Sequence, residues 1–165
     1  MQVNIYTDGA ARGNPGPGGY GAVLIAGQHY KELSGGYRKT TNNRMELLAV
    51  IKALEAMKLD GVKITIYTDS KYVCDSVTKG WVFNWHRTGF KGKKNADLWV
   101  QFLRLYPKNK ITFTWVKGHA GHKENERCDV LATQAADNTN QLLVDEGFES
   151  GLFNNNANPS TGLFT

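Results

Sequence analysis

Ile66-Tyr67-Thr68-Asp69-Ser70 restates, later in the chain, the pattern of Ile5-Tyr6-Thr7-Asp8-Gly9. Each stretch alternates apolar and polar residues and reads as a strand that finishes on an acid. A helix-type stretch lies between them, so the two strands are expected to pair in parallel through a right-handed crossover. Their matching period then sets Asp8 and Asp69 side by side at the carboxyl edge of a sheet, where ligands bind in open α/β sheets. Taken singly, Asp69 is explained as a helix cap and Asp8 as a turn former. The pair is harder to explain that way. Two carboxylates brought together repel and raise each other's pKa unless a cation intervenes.

Working outward, Val3 to Asp8 reads as a strand stopped by Gly9, and Gly13-Asn14-Pro15-Gly16-Pro17-Gly18-Gly19 as a tight loop. Tyr20 to Ile25 and His29 to Leu33 are strands turned at Gly27, which completes an antiparallel meander. Thr41-Asn42-Asn43 offers capping side chains for a helix to about Met57, with Leu47, Val50, Ile51, Leu54 and Met57 as its apolar stripe. Lys63 to Thr68 is a strand, and Asp69-Ser70 caps a helix through about Val77. A short helical stretch follows around Trp81 to Trp85, then a helix from Asn95 or Ala96 to Tyr106. Ile111 to Val116 is the last strand and Glu124 to about Asp137 the last long helix. The fold class is α/β: a five-stranded mixed sheet, three antiparallel strands and two parallel additions, with helices on both faces.

The chain has 165 residues, 41% hydrophobic and 21% charged, a composition that suits one globular domain and excludes disorder. No apolar run approaches the roughly 20 residues that cross a bilayer, and Met1-Gln2-Val3-Asn4 lacks signal-peptide character. Cys74 and Cys128 have no metal-ligand spacing and read as free thiols of a reducing cytoplasm. The net charge of +5 favours a polyanionic partner. From Ser76 to Ala96 there is no acid, while Lys79, Arg87, Lys91, Lys93 and Lys94 alternate with Trp81, Phe83, Trp85 and Phe90. Basic residues with aromatic platforms suit a nucleic-acid backbone, although a charged face over core aromatics reads the same way.

Glu46 is expected in the first turn of its helix, where an acid is favoured by the helix dipole, or where it projects over the sheet edge. Asp129 stands in the last helix beside Cys128, and facing the sheet it would need a partner. With these acids in view, Tyr6-Thr7-Asp8-Gly9, the Gly13 to Gly21 loop, Thr41-Asn42-Asn43-Arg44-Met45-Glu46-Leu47 and Tyr67-Thr68-Asp69-Ser70 together resemble type 1 ribonuclease H. Trp115-Val116-Lys117-Gly118-His119-Ala120-Gly121-His122 followed by Glu124 to Asp129 extends the resemblance. It covers residues 1–149 in order and is nearest to the bacterial form, ribonuclease HI, with its basic protrusion at about 79–95.

The resemblance implies an endonuclease that hydrolyses the RNA strand of RNA–DNA hybrids, leaving 5′-phosphate and 3′-hydroxyl ends. It implies that Asp8, Glu46, Asp69 and Asp129 hold two Mg²⁺ ions, with Mn²⁺ as a substitute. Asp8 would bridge both, Glu46 and Asp69 share one, and Asp129 hold the other. Hard cations prefer such oxygen ligands, and two of them about 4 Å apart suit an in-line displacement at phosphorus. His119 matches the family's mobile histidine, which assists proton transfer or product release; a pKa near neutrality suits that work. His122 is read as merely exposed.

Recognition of a hybrid requires a test for 2′-hydroxyls. Asn14, Asn42 and Asn43 resemble the residues that line the minor groove, and Thr41 a residue that helps seat a DNA phosphate. Trp81 and Trp85 resemble the protrusion that holds the DNA strand. Lys71 stands where glutamine is common, so this position donates but does not accept. The expected partner is the hybrid duplex, with no membrane, and the expected state is a monomer. A hybrid-binding module without catalysis is the alternative, and the intact carboxylates argue against it. Residues 150–165 carry no charge, repeat Gly151-Leu152-Phe153 as Gly162-Leu163-Phe164, and read as a mobile tail.

Overall fold

The computed structural model describes residues 1–118 and 122–154. Five strands form one open sheet: β1 (Gln2–Ala11), β2 (Gly16–Ala26), β3 (His29–Thr40), β4 (Lys63–Thr68) and β5 (Lys110–Trp115), in the order β3-β2-β1-β4-β5. β1 pairs antiparallel with β2 and β2 with β3, while β1–β4 and β4–β5 are parallel. The helices are α1 (Asn42–Glu55), α2 (Lys71–Thr78), α3 (Trp81–Arg87), α4 (Ala96–Leu105), α5 (Lys123–Asp137) and α6 (Glu146–Glu149). The mixed sheet expected from the order of elements is present. Among the described residues no helix is long and apolar enough to cross a membrane.

The first three strands are longer than the sequence pattern implies. β1 runs through Gly9 to Ala11, and β2 begins at Gly16, inside the segment read as a loop. Glycines there serve contact and not a turn. A Cβ on Gly21 would overlap the Cys128 carbonyl of α5, and one on Gly9 would overlap the Glu46 nitrogen of α1. Without side chains, both helices settle directly on the strands.

Strand alternation sends β1 side chains to opposite faces. Val3 and Ile5, with Ala22 and Leu24 of β2, join α1 in the main core. Asp8, opposite Gly21, takes the other face, where α5 buries Cys128, Ala132 and Ala136. Helices therefore cover both faces. Complete burial of side chains such as Ile5, Ile64 and Ile66 stabilises the fold by roughly 1.5–3 kcal/mol each.

α1 is buried more widely than one stripe. Met45, Leu48, Ala49 and Ala53 are inaccessible as well as Leu47, Val50, Ile51 and Leu54, because α4 packs on it from outside the sheet. Met57 lies beyond the helix and is only partly buried. Phe90, read as an aromatic platform, is 4% exposed and belongs to the core. α6 follows no pattern seen in the sequence; Asp145 caps it by accepting from Phe148 N–H at 3.2 Å.

Candidate active site

Tyr6 and Tyr67 are partners in the parallel β1–β4 register, and two residues further along lie Asp8 and Asp69. Asp69 directly follows β4, but it does not cap α2. The Ser70 hydroxyl does so, accepting from Val73 N–H at 3.1 Å. Asp8 sits within β1 and is not a turn residue; one of its oxygens accepts from Gly9 N–H at 2.9 Å. Glu46 is the fifth residue of α1, past the first turn, so the helix dipole does not account for it. The bare Gly9 lets this turn of α1 rest on β1 and carries Glu46 to the sheet edge.

One carboxylate oxygen from each of Asp8, Glu46 and Asp69 lies within 4.8 Å of the others. Glu46 Oε1 and Asp69 Oδ1 are buried with no hydrogen-bond partner among the described residues. Burial and then the charge of Asp69 push the Asp8 carboxyl up to about 7. Burial, followed by the charges of Asp8 and Asp69, raises Glu46 well above the ordinary carboxylate range. Buried carboxylates this close need protons or a cation to coexist. Unpartnered oxygens on hard anionic donors fit a divalent ion such as Mg²⁺.

Asp129 approaches from the other face on α5. It lines the same cleft as Asp8 and Asp69, and its charge adds to the upward push on Asp8. It stands outside the group of three whose oxygens lie mutually within 4.8 Å. Asn125, one turn before it, lines the cleft too, and its Oδ1 is buried without a partner. Sequence reading missed Asn125; its four-residue spacing from Asp129 was the available signal. Lys117, His122 and Glu126 complete the rim. His119 lies outside the described residues.

Lys71, the first residue of α2, holds its ammonium 4.4 Å from the centre of the Trp115 ring. The Trp115 indole N–H donates to the Asp69 carbonyl at 3.1 Å, so this exposed pair is fixed beside the acidic cluster. Further along the same side, Asn14, Thr41 and Asn43 share a hollow with Lys94. Asn14 accepts from Asn42 N–H at 3.0 Å and Asn42 accepts from Ala11 N–H at 2.6 Å, which fixes both carboxamides. Thr41 caps α1 by accepting from Arg44 N–H at 3.2 Å, and its hydroxyl hydrogen remains able to donate.

Trp81 and Trp85 lie on α3 with ring centres 6.5 Å apart. Lys79 stands 5.3 Å over Trp81, and Lys93 5.3 Å over Trp85. Trp81 is 41% exposed, whereas Trp85 also packs edge-on against the buried Trp99. The basic segment is therefore built on aromatic rings anchored in the core. The sequence-predicted residues fall into three neighbourhoods: the acidic cleft, the asparagine–threonine hollow and the basic aromatic helix.

Residues 1–137 match the RNase H family model. The chain belongs to the RNase H family. This family member is 55% identical over 152 residues to a ribonuclease H of Syntrophus aciditrophicus, covering 89% of this chain and 87% of the relative. It is 51% identical over 152 residues to a ribonuclease HI of Synechocystis, covering 88% and 94%. Among solved structures it is similar to LC9-RNase H1, with a TM-score of 0.76 at 32% identity, covering 98% of this chain and 83% of that one. LC11-RNase H1, solved in complex with an RNA/DNA hybrid, gives a TM-score of 0.59 at 27% identity, covering 84% and 99%. The five-stranded sheet is thus that of an RNase H.

Proposed function

We propose that this RNase H is a Mg²⁺-dependent endonuclease that hydrolyses the RNA strand of RNA–DNA hybrids. The observation that carries the reading is the cluster of Asp8, Glu46 and Asp69, with carboxylate oxygens within 4.8 Å of one another. Asp129 is proposed as a fourth ligand, from its place on the same cleft. These four residues would hold two divalent cations. When bound, such ions activate water and stabilise charge on the leaving oxygen.

The chain's own part is to hold oxygens in fixed positions and bring the scissile phosphate over them. Water oxygen adds to phosphorus and gives up a proton, the bond to the 3′ oxygen breaks, and that oxygen takes a proton, giving 5′-phosphate and 3′-hydroxyl ends. His119 is the proposed proton carrier. Lys71, fixed on Trp115, would meet the strand beside the cleft. Asn14, Asn42 and Asn43 are proposed to read the minor groove and its 2′-hydroxyls, with Thr41 on a DNA phosphate. Trp81 and Trp85 with their lysines would hold the DNA strand. The hybrid seen with LC11-RNase H1 supports this choice of substrate.

We further read the protein as a monomer of a reducing, cytoplasmic compartment, a reading supported by two buried free cysteines, Cys74 and Cys128. Residues 1–149 form the proposed catalytic domain.

The deciding experiment compares labelled hybrid, single-stranded RNA, duplex RNA and duplex DNA with and without Mg²⁺. Only the hybrid is expected to be cut, only with metal, and Asp8→Asn should abolish the cut. Equal cleavage of duplex RNA would overturn the substrate assignment.

A further inference from the structure

Among the described residues, the chain beyond α5 adds no strand to the sheet, yet it is hydrogen-bonded to β3, α1 and the start of α4. Leu143 N–H donates to the Gly36 carbonyl at 2.9 Å, and Arg38 N–H to the Leu143 carbonyl at 2.8 Å. Asp145 then takes two bonds of 2.8 Å from the buried Arg44. After α6 the chain turns back. Phe153 N–H donates to the Gly147 carbonyl at 2.9 Å, while the Phe153 carbonyl accepts from Asn95 N–H at 2.6 Å. Asn154 forms an antiparallel bridge with Lys94. The Phe153 ring packs on Phe148 at 4.8 Å, and the Arg44 guanidinium stands 5.9 Å from its centre.

Asn95 is where the basic segment ends and α4 begins. Its φ of 66° is left-handed, a conformation that asparagine adopts more readily than other residues with a side chain. Its side chain donates to the Tyr72 hydroxyl at 3.0 Å, and its backbone N–H is held by Phe153. Phe148 and Phe153 also line the hollow that contains Thr41, Asn43 and Lys94.

We propose that Phe153 is a positioning residue for nucleic-acid binding: seated against Phe148 and Arg44, it clamps Lys94 and Asn95 and sets the basic segment opposite Thr41 and Asn43. The ligand of that gap is the phosphodiester backbone of the duplex, and the proposal rests on the substrate reading above. The Gly151-Leu152-Phe153 motif, uncharged and remote from the carboxylates in sequence, acquires a purpose in this way. It adjusts where a cation meets a phosphate and leaves the reacting centre alone.

The test uses the full chain carrying Phe153→Ala or Phe153→Leu, and a chain ended after Asn154. Phe153→Ala is expected to raise KM for the hybrid about tenfold, and to lower the slope of log KM against log salt by about one, as loss of roughly one phosphate contact requires. Its kcat should stay within about twofold, since the carboxylates are untouched. The Asn95 amide should exchange its hydrogen faster. Phe153→Leu should recover most of the binding, and the chain ended after Asn154 should match the full chain. Faster Asn95 exchange with unchanged KM and salt slope in Phe153→Ala would overturn the proposal. So would a matching rise in KM on removing only residues 155–165. If Phe153→Ala melts at the assay temperature, Phe153→Leu gives the same comparison with a smaller expected rise. Failure of the parent chain to prefer hybrid over duplex RNA would overturn the substrate reading instead, and salt-dependent duplex binding would still report on Phe153.

Discussion

Tyr6 and Tyr67 stack face to face, ring centres 4.7 Å apart and planes 12° from parallel, on the two strands that deliver Asp8 and Asp69. The stack locks a register that electrostatics opposes. Asp8 and Asp69 are driven apart by like charge and by desolvation, and the paired tyrosines, with Gly9 and Gly21 admitting the helices, hold them together. Stability is given up at the site so that the site can bind a cation.

Asp8→Asn should therefore stabilise the metal-free protein while removing activity. The carboxyl is raised to about 7, chiefly by burial and next by Asp69. A neutral carboxamide of the same shape relieves both effects, and the gain above neutral pH is expected to be on the order of 2 kcal/mol. Thermal melting in a chelator at pH 8 measures it. A variant that melts lower than the parent would show that Asp8 contributes structure beyond its charge.

The same group sets a pH dependence for metal binding. Asp8 ionises near 4 in the unfolded chain and at about 7 when folded without metal. Between those values the native state holds the extra proton, so metal-free stability falls as pH rises through that window and levels off above about 7. A cation must displace the proton below 7 and binds a ready carboxylate above it. The rise in melting temperature produced by Mg²⁺ should accordingly be larger at pH 8 than at pH 6, and an equal rise at both would sink this account.

How much of this was legible in the sequence depends on where the information sits. Asp8 and Asp69 were legible as a pair because the two Ile-Tyr-Thr-Asp stretches share a period and parallel strands preserve it. The length of β2 was not legible, because Gly16, Gly18 and Gly19 read as a turn until Thr40 and Met45 close on Gly18 and α5 lies across Gly19. Phe90 was misplaced since an aromatic among lysines looks the same whether it faces water or the core. Glu46 and Asp129 needed the family resemblance, as each alone is an ordinary helical acid. Asn125 and the docking of Phe153 depend on contacts across the whole chain, which local patterns do not encode.

Arg44 predicts an acid-sensitive knot outside the acidic cleft. Its guanidinium is 1% exposed and is bonded to Asp97 at 2.7 and 2.8 Å and to Asp145 at 2.8 Å. Burial pushes the Asp145 carboxyl up, but its bonds from Arg44 and Thr40 outweigh that and leave it below the usual range. A depressed folded pKa contributes stability that is present above about pH 4 and lost as pH falls through the folded value. Arg44→Met, which strands buried carboxylates, should lower stability by about 3–5 kcal/mol at pH 7 in urea unfolding. Asp145→Asn should flatten the loss of stability below pH 4; an unaltered acid limb would place the sensitivity in other groups.

The two tryptophans of α3 should separate binding from stability. Trp81 is 41% exposed, and its main neighbours are Lys79 at 5.3 Å and Trp85 at 6.5 Å. Removing its ring takes away a platform for the nucleic acid and little core surface. Trp81→Ala is expected to raise KM for the hybrid by roughly five- to thirtyfold, the range of about 1–2 kcal/mol for one lost stacking contact, with stability changed by about 0.5 kcal/mol or less. Trp85 carries Lys93 on one side and packs 6.2 Å from the buried Trp99 on the other. Trp85→Ala should therefore weaken binding and also lower stability by roughly 2–4 kcal/mol, as loss of a partly buried aromatic does. Steady-state kinetics and urea unfolding on the same two variants decide the matter. If Trp81→Ala destabilised as much as Trp85→Ala while KM stayed level, the ring would be packing and the segment would have to grip the duplex through Lys79 and Lys93 alone.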